Sequence, residues 1–168
     1  MANLTFKNNP IKTLGNFPSV GQSVADFKLV TTELAEISLA DFTGKKIIFN
    51  IFPSIDTTVC ALQLKTFNEK CADIDNSVLL FASLDLPFAF SRFNSAEGID
   101  NAKTASDYRY KSLAESYGVI MNGGPLDGLY ARAVIILDEQ HKVIYSELVS
   151  EVTDEPDYDG AMNALKNA

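Results

Sequence analysis

Residues 46–60, KIIFNIFPSIDTTVC, constrain this chain more than any other stretch. Ile47, Ile48, Phe49, Ile51 and Phe52 form a nearly unbroken apolar run of strand length, the pattern of a strand buried on both faces. Pro53 ends the run, and a short polar loop, 54–58, delivers Val59 and Cys60 to the start of a helix expected over 59–72. At a helix start the backbone N–H groups lack partners and the dipole is positive, and both favour a thiolate. The thiolate is the nucleophilic form of cysteine, so the position predicts reactivity.

A free cysteine taken alone is more often a small buried hydrophobe than a nucleophile. Its company changes the balance. Pro53, Thr57 and Cys60 give the spacing P-x-x-x-T-x-x-C. One turn before the cysteine, the Thr57 hydroxyl can come within reach of the sulfur. Pro53 has no N–H, and its ring can cover one side of the sulfur against water.

With that spacing the chain resembles the peroxiredoxin family, in particular its bacterial thiol peroxidase branch. The resemblance runs through NIFPSIDTTVC at 50–60, FNEKCADIDN at 67–76, DLPFAFSRF at 85–93 and AEGIDN at 96–101. It continues in YGV at 117–119, GPLDGLYARAVIILDE at 124–139 and TDEPDYDGAMNALK at 153–166. It implies a thioredoxin-like α/β fold with a central mixed sheet flanked by helices, an N-terminal β-hairpin and a homodimer. It implies reduction of hydroperoxides at a peroxidatic cysteine, with thioredoxin or another thiol as reductant and no cofactor. Ala25 stands where the family usually has proline.

Whole-chain properties agree. A chain of 168 residues, 46% hydrophobic and 21% charged, suits a single domain, 1–168. A net charge of −8 disfavours nucleic acid and anionic membrane surfaces. Two cysteines make no disulfide framework and point to a reducing compartment. The first 25 residues lack an apolar core of signal-peptide length, and no run approaches a membrane span, so the cytoplasm is expected.

In chain order, 4–7 and 11–14 read as strands of a hairpin turning at Asn8-Asn9-Pro10. Strands are expected at 27–31, 37–39, 77–84, 129–137 and 142–148, and helices at 88–93, 106–117 and 155–167, with 96–101 as loop. Tyr158, Ala161, Met162 and Leu165 mark the apolar face of the last helix. Strands and helices alternate without internal repeats, which is an α/β pattern.

Arg132, within LYARAVIIL, is the second chemical signal. An arginine in an apolar strand is expensive unless matched, and by itself it would be read as pointing outward at an edge. The resemblance instead aligns ARA at 131–133 with the arginine beside the peroxidatic cysteine, where a guanidinium favours the thiolate and bonds peroxide oxygens. Arg92 is a weaker candidate, for site support or a structural ion pair. The branch usually carries a resolving cysteine directly after SRF; here Asn94 stands there, so the usual intramolecular bridge is absent. Cys71, on the same predicted helix as Cys60, lies ~16 Å away along its axis, whereas a disulfide needs ~7 Å or less. Cys71 is therefore read as a core residue, with an intermolecular route through it left open, and an outside thiol is expected to resolve the cycle.

Other residues carry less. His141, the single histidine, is expected in an exposed turn, and no His/Cys cluster suggests zinc. Gly123-Gly124-Pro125 lacks the strand–helix setting of a phosphate loop. The acidic residues Asp154, Glu155, Asp157 and Asp159 suit a helix N-terminus. Phe52, Phe88, Phe90, Phe93, Ile120, Met121 and Leu126 fall in regions that the family uses for its substrate mouth and dimer contact, favouring alkyl or lipid hydroperoxides. Three functions remain: a hydroperoxide reductase acting through Cys60, a thiol–disulfide redox sensor or exchange protein, and a non-catalytic binding dimer. Turnover with small peroxides separates the first from the others.

Overall fold

A computed structural model describes residues 1–167. Its elements are β1 (Asn3–Phe6), β2 (Asn9–Thr13), β3 (Lys28–Thr31), β4 (Glu36–Ser38), β5 (Lys46–Ile51), α1 (Thr58–Lys70), β6 (Ser77–Ser83), α2 (Pro87–Glu97), β7 (Ala102–Ser106), β8 (Met121–Asn122), β9 (Ala133–Leu137), β10 (Val143–Leu148) and α3 (Tyr158–Lys166). Seven strands form one mixed sheet in the order β10-β9-β5-β6-β7-β3-β4. The neighbours β5, β6 and β7 run parallel, and the other pairs are antiparallel. The apolar run of the sequence thus becomes the middle strand, β5, covered on both faces.

Alternation along β5 sorts the core. Ile47, Phe49 and Ile51 pack on one face with Phe27, Leu113, Tyr117 and Ile135. Ile48 and Phe52 pack on the other with Cys60, Leu64 and Phe67 of α1, Phe90 of α2 and Ala161, Met162 and Leu165 of α3. The described α-helices therefore share one face, and turns close the opposite one. Between them the two faces bury most of the chain's large side chains, which is where the bulk of its hydrophobic stabilisation lies.

Those turns correct the helix expected over 106–117. Ser106 ends strand β7, pairing with Ser83 of β6 and Val30 of β3. Asp107 is fully buried, and its carboxylate accepts the Ser112 and Leu113 N–H groups, the Ser112 hydroxyl and the Tyr130 hydroxyl. Drawing in N–H groups five and six residues ahead is incompatible with a continuous i→i−4 ladder, and Lys111 has φ of 51°. Burial holds the Asp107 carboxyl above its usual range although these bonds oppose it.

Smaller corrections have local causes. Helix α2 continues to Glu97, through part of the expected loop, and stops at Gly98 with φ of 64°. Helix α3 begins three residues late, after Pro156, with the Asp157 carboxylate capping Gly160 N at 2.9 Å. Strand β9 begins only at Ala133, so Arg132 precedes the strand. His141 is half-buried, its ring nitrogen 3.1 Å from the Phe42 carbonyl. The hairpin turns at Lys7-Asn8 and not at 8–10: Phe6 pairs with Asn9, and both turn residues have positive φ, as a two-residue turn requires.

That hairpin and β8 form a separate three-stranded sheet. Glu151 fastens it to the body. Its carboxylate accepts from Thr5 Oγ1 (2.8 Å), from Lys7 and Asn8 N (3.0 Å each) and from Thr153 Oγ1 (2.7 Å). Desolvation pushes this carboxyl up, but the donors from Asn8, Thr153 and Thr5 outweigh it and hold the group at about 2, against an ordinary 4.5. A depressed carboxyl stabilises the fold above its ordinary value and ceases to do so as pH falls through the folded one. Hydrogen-exchange protection at Lys7 and Asn8 should therefore decline between pH 4.5 and about 2. Glu151→Gln should already lower it at pH 7; unchanged protection would show that the hairpin is held by other means.

Candidate active site

Because β5 and β6 are parallel, their C-terminal ends lie side by side. Pro53, buried and lacking an N–H, ends β5, and Asp85 lies just beyond β6. The Asp85 carboxylate accepts the Ser54 hydroxyl (2.8 Å), Ile55 N (2.7 Å) and the Ser83 hydroxyl (2.5 Å), pinning the loop that leads to α1. On the outside of that loop Arg92 pairs with Asp56, both well exposed, which makes Arg92 a surface tether and not a neighbour of the sulfur.

Thr57 is the N-cap of α1, which makes Cys60 the third helical residue. The Thr57 hydroxyl does not bond the sulfur; it donates to the Ser54 carbonyl at 2.8 Å and leaves the first-turn N–H groups uncapped by a side chain. Cys60 is fully buried, and Arg132 Nη1 donates to its Sγ at 3.4 Å.

Arg132, only 2% exposed, points inward, which excludes the edge reading of its position. Its Nε and Nη2 both donate to the Val152 carbonyl, at 3.2 and 2.9 Å, and Nη1 also donates to Gln63 Oε1 at 2.8 Å. Gln63 Nε2 in turn donates to Asn50 Oδ1 at 2.9 Å. Among the described residues no carboxylate forms an ion pair with Arg132.

Sequence reasoning missed Asn50, Gln63, Asp85 and Val152. Two left usable signals. Asn50 is the one polar residue inside an apolar strand, which demands a buried partner. Gln63 lies three residues after Cys60 and so shares its helix face. The Val152 carbonyl is backbone and leaves no side-chain trace.

Beside the buried pair opens an apolar recess of about 200 Å³. Phe6, Leu126, Leu129 and Val152 give it its apolar lining, and Pro53, Thr57 and Arg132 also face it. Of the residues expected at a mouth, only Leu126 lines it. Phe52, Phe90 and Met121 are core, while Phe93 and Ile120 are half-buried against it. Phe88 is 65% exposed on a separate patch with Leu86 and Tyr108.

The remaining thiol is remote. Cys71 is the C-cap at the far end of α1, buried, with its sulfur 3.8 Å from Met162 Sδ, and both cysteines are free. Burial pushes its thiol up to about 11, with Lys70 pulling weakly the other way. Asn94, on α2, donates from Nδ2 to Thr104 Oγ1 of β7 at 2.9 Å. Among the described residues no group of three His, Cys, Asp or Glu side chains could hold a metal, and no helix is long and apolar enough to cross a membrane.

The sequence and the fold both match known proteins. Residues 19–162 match the redoxin family. The chain is 49% identical to a thiol peroxidase of Corynebacterium glutamicum, over 98% of this chain and 99% of that protein. A crystal structure of a peroxiredoxin-like protein from Aquifex aeolicus superposes with a TM-score of 0.94 at 36% identity, covering 99% of this chain and 97% of the other. A thiol peroxidase from Chromobacterium violaceum shares the fold, with a TM-score of 0.91 at 23% identity over 98% and 95% of the two chains.

The placement of Cys71 has a chemical consequence. With its thiol held at about 11, only ~1% is thiolate at pH 9. Iodoacetamide at that pH should label Cys71 at least ~10-fold more slowly in the folded protein than in the guanidinium-unfolded chain, by peptide mass spectrometry. Rapid labelling of folded Cys71 would contradict its placement in the core.

Proposed function

The chain belongs to the redoxin family, in its thiol peroxidase branch, and we propose that it reduces hydroperoxides through Cys60 in a one-cysteine cycle. The observation that carries this reading is the Arg132 guanidinium, buried without a carboxylate partner among the described residues and donating to Cys60 Sγ at 3.4 Å. An arginine stays charged, and a buried charge calls for an opposite one. A Cys60 thiolate is the anion that completes it.

The sulfur attacks the terminal oxygen of ROOH. An S–O bond forms as the O–O bond breaks, and the departing alkoxide takes a proton and leaves as alcohol, or as water when the substrate is hydrogen peroxide. Cys60 becomes a sulfenic acid. Arg132 and the uncapped N–H groups of the α1 first turn stabilise charge moving from sulfur to the leaving oxygen. The Thr57 hydroxyl has its donor engaged by Ser54, so toward a peroxide it acts as acceptor for the O–H and orients the substrate. Pro53, buried in the lining of the recess, shields the site from water.

With Asn94 in place of a resolving thiol and Cys71 at the opposite end of α1, an external thiol, thioredoxin or another reductant, attacks the sulfenic sulfur and releases water. A second thiol then frees Cys60 by exchange. The apolar lining of the recess favours alkyl or lipid hydroperoxides over hydrogen peroxide. Leu86, Phe88 and Tyr108, 46–65% exposed beside the loop tethered by Arg92, suit burial against a second copy in a homodimer. Free thiols suit the cytoplasm.

Intact mass after one equivalent of cumene hydroperoxide, with and without a sulfenic-acid trap, tests the cycle. A single trapped adduct on Cys60 is expected, absent in Cys60→Ser; a Cys60–Cys71 disulfide or an unreactive protein would overturn the reading. Arg132→Ala should slow adduct formation on the order of 10²–10³-fold, the usual effect of removing a charge-stabilising donor. Phe6→Ala should reduce kcat/KM for cumene hydroperoxide roughly 10-fold and leave hydrogen peroxide nearly unaffected, since only the former has an apolar body to bury.

A further inference from the structure

We propose that Asn50 is a positioning residue for this chemistry, selecting which end of the Gln63 amide faces Arg132; the assignment rests on the roles of Cys60 and Arg132 given above. A guanidinium has only donors. The group 2.8 Å from Nη1 must then be the Gln63 oxygen, which sends Nε2 toward β5. There it needs an acceptor, and Asn50 Oδ1 lies 2.9 Å away. Asn50 can offer that oxygen because its own Nδ2 turns to the Ile48 carbonyl at 3.5 Å.

Asn50 and Gln63 are fully buried and Arg132 is 2% exposed, so water is excluded from the chain of contacts. An amide has nearly the same shape either way round, and packing alone distinguishes its ends poorly. Asn50 makes the distinction from the middle strand of the sheet. A Gln63 inverted end for end would direct N–H against N–H and push Nη1 off its place. Nη1 carries two hydrogens, one for Gln63 and one for Cys60 Sγ at 3.4 Å, so displacing it disturbs the contact with the reacting sulfur.

A carboxylate has oxygen at both ends and needs no selector, which supplies the test. Four proteins are compared: unsubstituted, Asn50→Leu, Gln63→Glu and the double variant. The first readout is the second-order rate of sulfenic acid formation at Cys60 with cumene hydroperoxide. The second is the NMR signature of the Gln63 side-chain N–H and Arg132 guanidinium groups. Asn50→Leu should slow the reaction about 10-fold when residue 63 is glutamine and less than about 2-fold when it is glutamate, because only the amide depends on its donor's partner. It should also expose the Gln63 N–H to exchange and shift the Arg132 signals.

Equal penalties in both backgrounds, or Arg132 signals unmoved by Asn50→Leu, would overturn the assignment. Should Asn50→Leu fail to fold, Asn50→Ser, too short to reach Gln63, takes its place in both backgrounds. Failure of the peroxidase reading looks different: the unsubstituted protein would give no sulfenic acid, while the Arg132 signals would still report on the selector.

Discussion

The structure around Cys60, the proposed nucleophile, depends on one buried positive charge. Arg132 is almost wholly withdrawn from water, and the acceptors it meets besides the Cys60 sulfur are uncharged: the Val152 carbonyl and the Gln63 amide oxygen. Neutral acceptors satisfy its hydrogen bonds without cancelling its charge. The remaining field falls on the sulfur. A carboxylate in the same place would have been better for burying an arginine and worse for the chemistry, because it would have neutralised the charge the sulfur is to use.

The parallel pairing of β5 and β6 brings the second requirement, a rigid approach to the helix. Asp85, one strand away, holds the loop with two hydrogen bonds and is itself fixed to the end of β6 by a third from Ser83, and Pro53 prevents the strand from running on. Cys60 therefore enters the first turn of α1 at a height set by the sheet. Arg132 enters from the antiparallel neighbour β9, whose partner on the other side is β10. The two candidate side chains thus stand next to adjacent strands of one sheet, Cys60 in the first turn of the helix that follows β5 and Arg132 just before β9.

Much of this is legible in the sequence where each local signal agrees with its tertiary setting. The run 46–60 combines strand, breaker, loop and helix start in one order, and the structure reproduces it as β5, Pro53 and α1. Legibility fails where a distant partner decides. Residues 106–117 have helix composition, but the buried Asp107 carboxylate collects their N–H groups and binds Tyr130 as well, which no local pattern discloses. β7, AKTAS, has weak strand character and exists because β6 and β3 flank it. Gln63 sits between Leu62 and Leu64, and nothing local discloses that its partner lies inside the sheet. The hydroxyl of Thr57 was legible as a nearby group but not in direction, since that is set by the Ser54 carbonyl.

The N-terminal hairpin looks peripheral in the topology, a small sheet of its own. Yet Val152 accepts both guanidinium bonds through its carbonyl while its N–H bonds the Thr5 carbonyl at 2.9 Å, and its neighbour Glu151 grips the hairpin turn. Mechanically the first strand and the arginine hang from the same residue. Only one residue separates the chain's beginning from the charge beside Cys60, which makes residues 3–13 part of the candidate site's scaffolding although they stand outside the main sheet.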